Sequence, residues 1–146
     1  MKKAILAVLL LVGTTGCEEQ PSLRFIDGSA RSLDAWQGRW LVINYWAEWC
    51  APCWAEVEEL NALHEDEVHS AAVIGVNFDG IEGEELRQLI AKMDIRFPVA
   101  LDDPRANWAY DRPQVLPMTV IIGPGGDLRG QLQGPQTLNS LLAAMR

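Results

Sequence analysis

The sequence predicts an α/β fold: a central mixed sheet flanked by helices, with an N-terminal hairpin and an inserted helix–strand unit before the last two strands. Three observations carry this. The run Trp40-Leu41-Val42-Ile43-Asn44-Tyr45-Trp46 is apolar on both alternating faces apart from Asn44, as expected of a strand covered on both sides. A segment of helical period and a second apolar run, Ala71-Ala72-Val73-Ile74-Gly75-Val76, follow it and make a βαβ unit with a right-handed crossover. Farther on, a strand over 119–122, a turn over 123–127 and a returning strand over 128–133 precede a C-terminal helix.

In chain order, Met1-Lys2-Lys3, an apolar run over 4–12 and the stretch Gly13-Thr14-Thr15-Gly16 read as an export signal over residues 1–16. The run is far short of the ~20 residues that span a bilayer, so it is expected to be cleaved. Thr15-Gly16-Cys17 resembles the end of a bacterial lipobox, with Thr14 where Leu is usual; on that reading Cys17 takes a lipid and becomes the first mature residue. The alternative is ordinary cleavage near Gly16, leaving Cys17 an unmodified thiol. Residues 17–22 then form a short polar tether, and residues 23–146 one domain with its own core.

Asp27-Gly28 between short extended stretches suggests a hairpin turn. The segment Ser32-Leu33-Asp34-Ala35-Trp36-Gln37-Gly38 reads as a capped helical turn ending at glycine. After the strand over 40–46, Val57, Leu60 and Leu63 recur at helical spacing, so a helix runs from Cys50 to about His64. Leu86, Leu89, Ile90 and Met93 mark a second amphipathic helix between Gly83 and Asp94. Phe97-Pro98-Val99-Ala100 reads as a short strand whose proline places it at an edge or a strand start. A short helix over 104–110 begins at Pro104, and Leu138, Leu141, Leu142 and Met145 form the stripe of the last helix.

The formal net charge is −8, from 12 basic and 20 acidic side chains, and becomes −10 once Lys2 and Lys3 leave with the signal. Nucleic-acid binding is excluded on that ground. The acidic clusters Glu56-Glu58-Glu59, Glu65-Asp66-Glu67 and Glu82-Glu84-Glu85 read as solvated faces; a docking surface for a basic partner is the lesser alternative.

Chemistry concentrates in Trp49-Cys50-Ala51-Pro52-Cys53-Trp54. A Cys-x-x-Cys that opens a helix places Cys50 where free N–H groups and the positive end of the helix dipole stabilise a thiolate, so Cys50 is the expected nucleophile. Two intervening residues let the thiols close a small ring, and Pro52 suits a first helical turn because its missing N–H has no partner to lose. Cys53 lies within the helix and is expected to be the less exposed, resolving sulfur. Three cysteines are an odd number for an exported chain, and a lipid on Cys17 would leave Cys50 and Cys53 as the only pair. Competing readings are a zinc half-site, for which His64 and His69 are the other available ligands, and Cu(I) capture by the two sulfurs with Met118. A purely structural disulfide is disfavoured, since so small a loop removes little unfolded-state entropy. The residues require no cofactor.

The arrangement Trp49 to Cys53 resembles the active-site motif of the thioredoxin superfamily, with Ala51 as the variable residue. Together with the run 41–53, Phe97-Pro98-Val99 followed by Leu101-Asp102, and Leu116-Pro117 before the strand at Thr119, it resembles the membrane-tethered TlpA/ResA-like branch from Phe25 to the C-terminus. The resemblance implies a thioredoxin fold. It also implies a cis bond before Pro117, which would face the cysteines and leave the Leu116 backbone free to pair with an extended partner, with Trp49, Ala51, Pro52 and Met118 beside it. Met118 departs from the Thr common after that proline. Glu56 matches a glutamate placed to influence thiol ionisation; a solvated carboxylate beside Glu58 and Glu59 is the alternative. Asn44 stands where cytoplasmic thioredoxins carry a buried acid, and Trp54 where a basic residue is common. Trp46 is expected in the core and Glu48 at the surface; His64 and His69 receive no function.

These readings imply a monomeric, membrane-anchored lipoprotein of the periplasm or another extracytoplasmic space. It would exchange thiols and disulfides with protein substrates, reducing exported proteins or apocytochromes with electrons from a membrane thiol reductase. A thiol oxidase of the same fold and a copper-binding or metallochaperone module are the alternatives.

Overall fold

The computed structural model describes residues 22–146, so the expected signal segment, Cys17 and tether residues 17–21 lie outside the described residues. The strand β3 (Trp40–Trp46) lies at the centre of a five-stranded sheet. On one side β3 pairs in parallel with β4 (Ala71–Asn77), Val42 opposite Val73; on the other it pairs antiparallel with β6 (Met118–Ile122), Ile43 opposite Val120. The edges are β5 (Val99–Ala100), just after Pro98, and β7 (Leu128–Gln133). The sheet is therefore mixed, and it has the thioredoxin-like topology the sequence predicts.

Helices α1 (Ala51–Glu65) and α2 (Gly83–Lys92) lie on one face, joined there by α4 (Leu138–Ala144). Two successive right-handed crossovers that step in the same direction across a sheet must place their helices on the same side. Their core is built from Val42, Trp46, Val57, Leu60, Leu86, Leu89 and Leu141. The other face carries Leu41, Ile43, Tyr45, Val120 and Ile122. It packs with the hairpin of β1 (Ser22–Arg24) and β2 (Ala30–Ser32), the Ser32-capped 3₁₀ turn Leu33–Trp36, and the short α3 (Arg105–Trp108).

The N-terminal hairpin covers the free edge of β5, which would otherwise offer unpaired backbone groups. The Ile26 N–H donates to the Val99 carbonyl at 3.0 Å and the Leu101 N–H to the Arg24 carbonyl at 2.8 Å. Arg24 also grips Asp102, with Nη2 to Oδ1 at 2.6 Å. At Gly75 a Cβ atom would stand 2.9 Å from the Phe97 ring and 3.0 Å from the Trp46 indole nitrogen, so β4 passes its neighbours at a distance that needs glycine. Among the described residues, no helix is long and apolar enough to cross a membrane.

Candidate active site

The strand β3 delivers the chain to the first turn of α1, and the cysteine pair lies at that junction. Cys50 is the N-cap residue, with extended backbone and no side-chain cap bond; Ala51 opens the helix, Pro52 follows it, and the Cys53 N–H turns back to the Cys50 carbonyl at 3.0 Å. The two sulfurs are joined in a disulfide with Cα atoms 5.3 Å apart. The expected contrast in exposure is absent, since Cys50 and Cys53 are 4% and 2% exposed. In the disulfide each sulfur shields the other. Position distinguishes them instead: Cys50 is outside the helix, and Cys53 inside its first turn.

One turn below Cys53, Glu56 is 1% exposed, which removes the solvated-carboxylate alternative for this residue. Its Oε2 accepts from Asn44 Nδ2 at 3.0 Å, and its Oε1 accepts from Thr119 Oγ1 at 3.2 Å and from the Gln136 N–H at 3.1 Å. Asn44 and Thr119 are register partners on β3 and β6, and Asn44 Nδ2 also donates to Thr119 Oγ1 at 3.1 Å. Burial pushes the Glu56 carboxyl up to about 7, against the downward pull of the Gln136, Asn44 and Thr119 donors. Asn44, read from the sequence as standing where cytoplasmic thioredoxins carry a buried acid, is an amide whose partner across the β3–α1 interface is the acid Glu56. Next along α1, Glu59 Oε2 accepts from the Leu138 N–H at 2.7 Å. Two carboxylates of α1 thus hold the start of the C-terminal segment.

The rim is aromatic. Trp49 is 65% exposed, donates its indole N–H to Asp79 Oδ2 at 2.9 Å, and stands edge-on to Phe78 with ring centroids 6.3 Å apart. Ala51 and Pro52 are exposed. Trp54 donates to the Glu48 carbonyl at 2.8 Å, and Lys92 Nζ of α2 lies 5.9 Å from the Trp54 ring while pairing with Glu48 Oε1 at 2.7 Å. At Trp54, where a basic residue is common, the cation beside the ring is Lys92 of a different helix, held in an ion pair with Glu48, which is at the surface as expected. The bond between Leu116 and Pro117 is cis; Pro117 is buried and Leu116 partly buried. Trp46, 1% exposed, is core.

Met118 is a correction. It pairs with Tyr45 across β3 and β6, and its side chain is buried with Ile43, Tyr45 and Val120 on the opposite face of the sheet from Cys50 and Cys53. Strand alternation forces this once Thr119 faces Glu56. The Met118 thioether is therefore neither a copper ligand beside the sulfurs nor a side-chain contact for substrate. His64 lies in the last turn of α1, whose 15 residues separate it from Cys50 by about 20 Å, and His69 is beyond the helix, bonded to Asp66 at 2.6 Å. Neither histidine joins the cysteines in a zinc site.

A family model described as AhpC/TSA matches residues 19–131, most of the chain, with Cys50 and Cys53 inside the match. The chain belongs to the AhpC/TSA family. Among curated relatives, this AhpC/TSA chain is 30% identical over 118 residues to the thioredoxin-like protein YneN of Bacillus subtilis, an alignment covering 80% of the chain and 69% of YneN. It is 31% identical over 117 residues to the thiol-disulfide oxidoreductase ResA of Oceanobacillus iheyensis, covering 80% of the chain and 60% of that protein's length. Among solved structures, a DsbF homologue from Corynebacterium diphtheriae superposes with a TM-score of 0.71 at 21% identity, over 86% of this chain and 83% of that one. The AhpC/TSA chain thus has the thioredoxin-like fold and a redox-active cysteine pair of the thiol-disulfide oxidoreductase kind.

Thr119 and Gln136 complete the surroundings of Glu56, and Lys92 those of Trp54, in the AhpC/TSA chain, and sequence reading passed over all three as site residues. For Thr119 a signal existed: it is a polar residue at the start of a buried strand. Gln136 contributes a backbone N–H and Lys92 acts across two helices, and neither leaves a local pattern.

Proposed function

We propose that the chain is an extracytoplasmic dithiol reductase, tethered through a lipid on Cys17, that passes electrons from a membrane thiol reductase to disulfides of exported proteins or apocytochromes. The Cys50 thiolate attacks a partner disulfide, forming a mixed disulfide and expelling one partner thiolate. Cys53, giving its proton to Glu56, then attacks the Cys50 sulfur, closes the Cys50–Cys53 disulfide and expels the second thiolate. Two electrons leave the dithiol; one partner thiolate takes the proton that Glu56 received from Cys53, and the other takes one from solvent. Pro117 and the Leu116 backbone meet the extended partner, with Trp49, Ala51 and Pro52 forming the rest of the contact.

The observation that carries this reading is the Glu56 carboxyl, buried one turn below Cys53 and raised to about 7, where it is close to half-ionised at neutral pH and suited to accept a thiol proton. The test is a titration of the Cys50/Cys53 couple against glutathione, with insulin-disulfide reduction measured alongside. A potential near about −270 mV with insulin turnover supports a reductant, and one near about −120 mV reverses the direction. Failure to reduce insulin or any small disulfide defeats the oxidoreductase reading.

A further inference from the structure

Beside the aromatic rim is a cavity of about 210 Å³ whose lining includes Tyr45, Asn77, Phe78, Asp103, Arg105 and Arg112. Its one lining carboxylate is already engaged: Asp103 accepts from the Tyr45 hydroxyl at 2.7 Å and from Arg105 Nε at 2.8 Å. Arg112 has no such partner. Among the described residues no carboxylate lies within ion-pair distance of its guanidinium, although the chain as a whole is strongly acidic. Asp79, the acid beside the rim, is bonded to Trp49.

The guanidinium is nevertheless held in place. Arg112 lies over the Phe78 ring, 4.4 Å from its centroid, and donates Nη2 to the Phe78 carbonyl at 3.1 Å. Phe78 in turn packs against Trp49, the residue before Cys50, and Arg112 belongs to the segment that leads to Leu116 and Pro117. A second feature of the cavity has the same sign. Asn77, 7% exposed, spends its Oδ1 on the Ile81 N–H at 3.1 Å, and its Nδ2 has no acceptor. An unmatched buried N–H leaves positive potential in the wall.

A fixed, unneutralised guanidinium with spare N–H donors, next to an unmatched amide donor, suits an acceptor-only group of negative charge. We infer that Arg112 is a specificity-determining residue that binds an Asp or Glu side chain flanking the target cysteine of the partner peptide. This rests on the oxidoreductase reading, because it needs a peptide docked across Cys50. The stack Arg112, Phe78, Trp49, Cys50 sets the direction of the flanking residue relative to the attacked sulfur.

The test compares peptide disulfides that differ only in Glu or Gln at successive positions on either side of the cysteine. Their rates with the reduced full-length protein are read as a Glu/Gln ratio, with neutral hydroxyethyl disulfide as a further substrate. The expected ratio at one position is about threefold to tenfold, falling with added salt, as for a partly exposed charge pair. Arg112→Gln brings that ratio to about one, and Arg112→Lys retains part of it. A ratio near one in the wild-type protein, or one that survives Arg112→Gln, overturns the assignment. Because the ratio is taken within each variant, it is unaffected by a general loss of activity. Loss of turnover with every substrate, hydroxyethyl disulfide included, would instead strike the oxidoreductase reading on which the assignment depends.

Discussion

Asn44 on β3 and Glu56 on α1 meet through a 3.0 Å hydrogen bond, 12 residues apart in sequence and both almost fully buried. The bond crosses from strand to helix just below the cysteine pair. An amide that donates to a carboxylate favours its ionised form, and burial opposes ionisation; here burial wins.

That balance makes stability depend on pH. A carboxyl raised from 4.5 to about 7 on folding binds its proton more tightly in the folded than in the unfolded state, so the contribution of Glu56 to stability is fully present below about 4.5 and is lost as pH rises through about 7. The loss is of the order of 3 kcal/mol. Urea unfolding of the oxidised protein between pH 5 and pH 8 should show it, and Glu56→Gln should flatten the slope. An unchanged slope in the variant would place the titration elsewhere.

Asn44→Asp puts a second carboxyl within hydrogen-bond distance of the first. The pair then shares one proton, and its second ionisation is driven well above the ordinary carboxylate range. The variant is expected to lose about 2–4 kcal/mol more stability at pH 8 than at pH 5. Equal losses at both pH values in urea titrations would contradict the shared-proton account.

Removing the sulfurs one at a time separates their roles. Cys53→Ala should accumulate a mixed disulfide between Cys50 and its partners, because nothing remains to displace them. Cys50→Ala should accumulate little. Non-reducing gels followed by mass spectrometry read both amounts, and equal trapping by the two variants would reverse the assignment of attacking and resolving thiols.

Met118→Leu tests the two faces of the sheet. The swap conserves volume in a packed core and should cost less than about 1.5 kcal/mol. Disulfide reduction and any Cu(I) affinity should stay within about twofold, since the thioether faces Tyr45 and Val120. A tenfold drop in either, in a variant that melts normally, would bring the side chain back to the sulfurs.

The order of elements was legible in the sequence because each depends on local period and turn chemistry: the doubly apolar run 40–46, the helix opened by Cys50 and the hairpin around Gly126 all form where those patterns put them. Even the proline before β5 marked an edge strand. The environment of Glu56 was legible only in part. Cys53, Glu56, Val57 and Leu60 share one face of α1, and that spacing alone marks Glu56 as inward, yet its acidic neighbours Glu58 and Glu59 suggest a solvated face. What fixes its chemistry arrives from Thr119 and Gln136, 63 and 80 residues away. Met118 was misplaced for a related reason, since which face a residue takes depends on strand register, which the preceding proline does not specify.

The Gln136 amide and the Glu59-held start of α4 have a consequence for how the protein can be cut. The segment leading into the C-terminal helix donates the Gln136 N–H to the buried acid and the Leu138 N–H to Glu59, and Leu141 of α4 is fully buried in the core. A chain stopped before residue 136 would keep both cysteines and every strand, but would admit water to that carboxyl. The acid would then ionise like any surface glutamate, and the truncated protein would keep its disulfide while losing its neutral-pH proton acceptor.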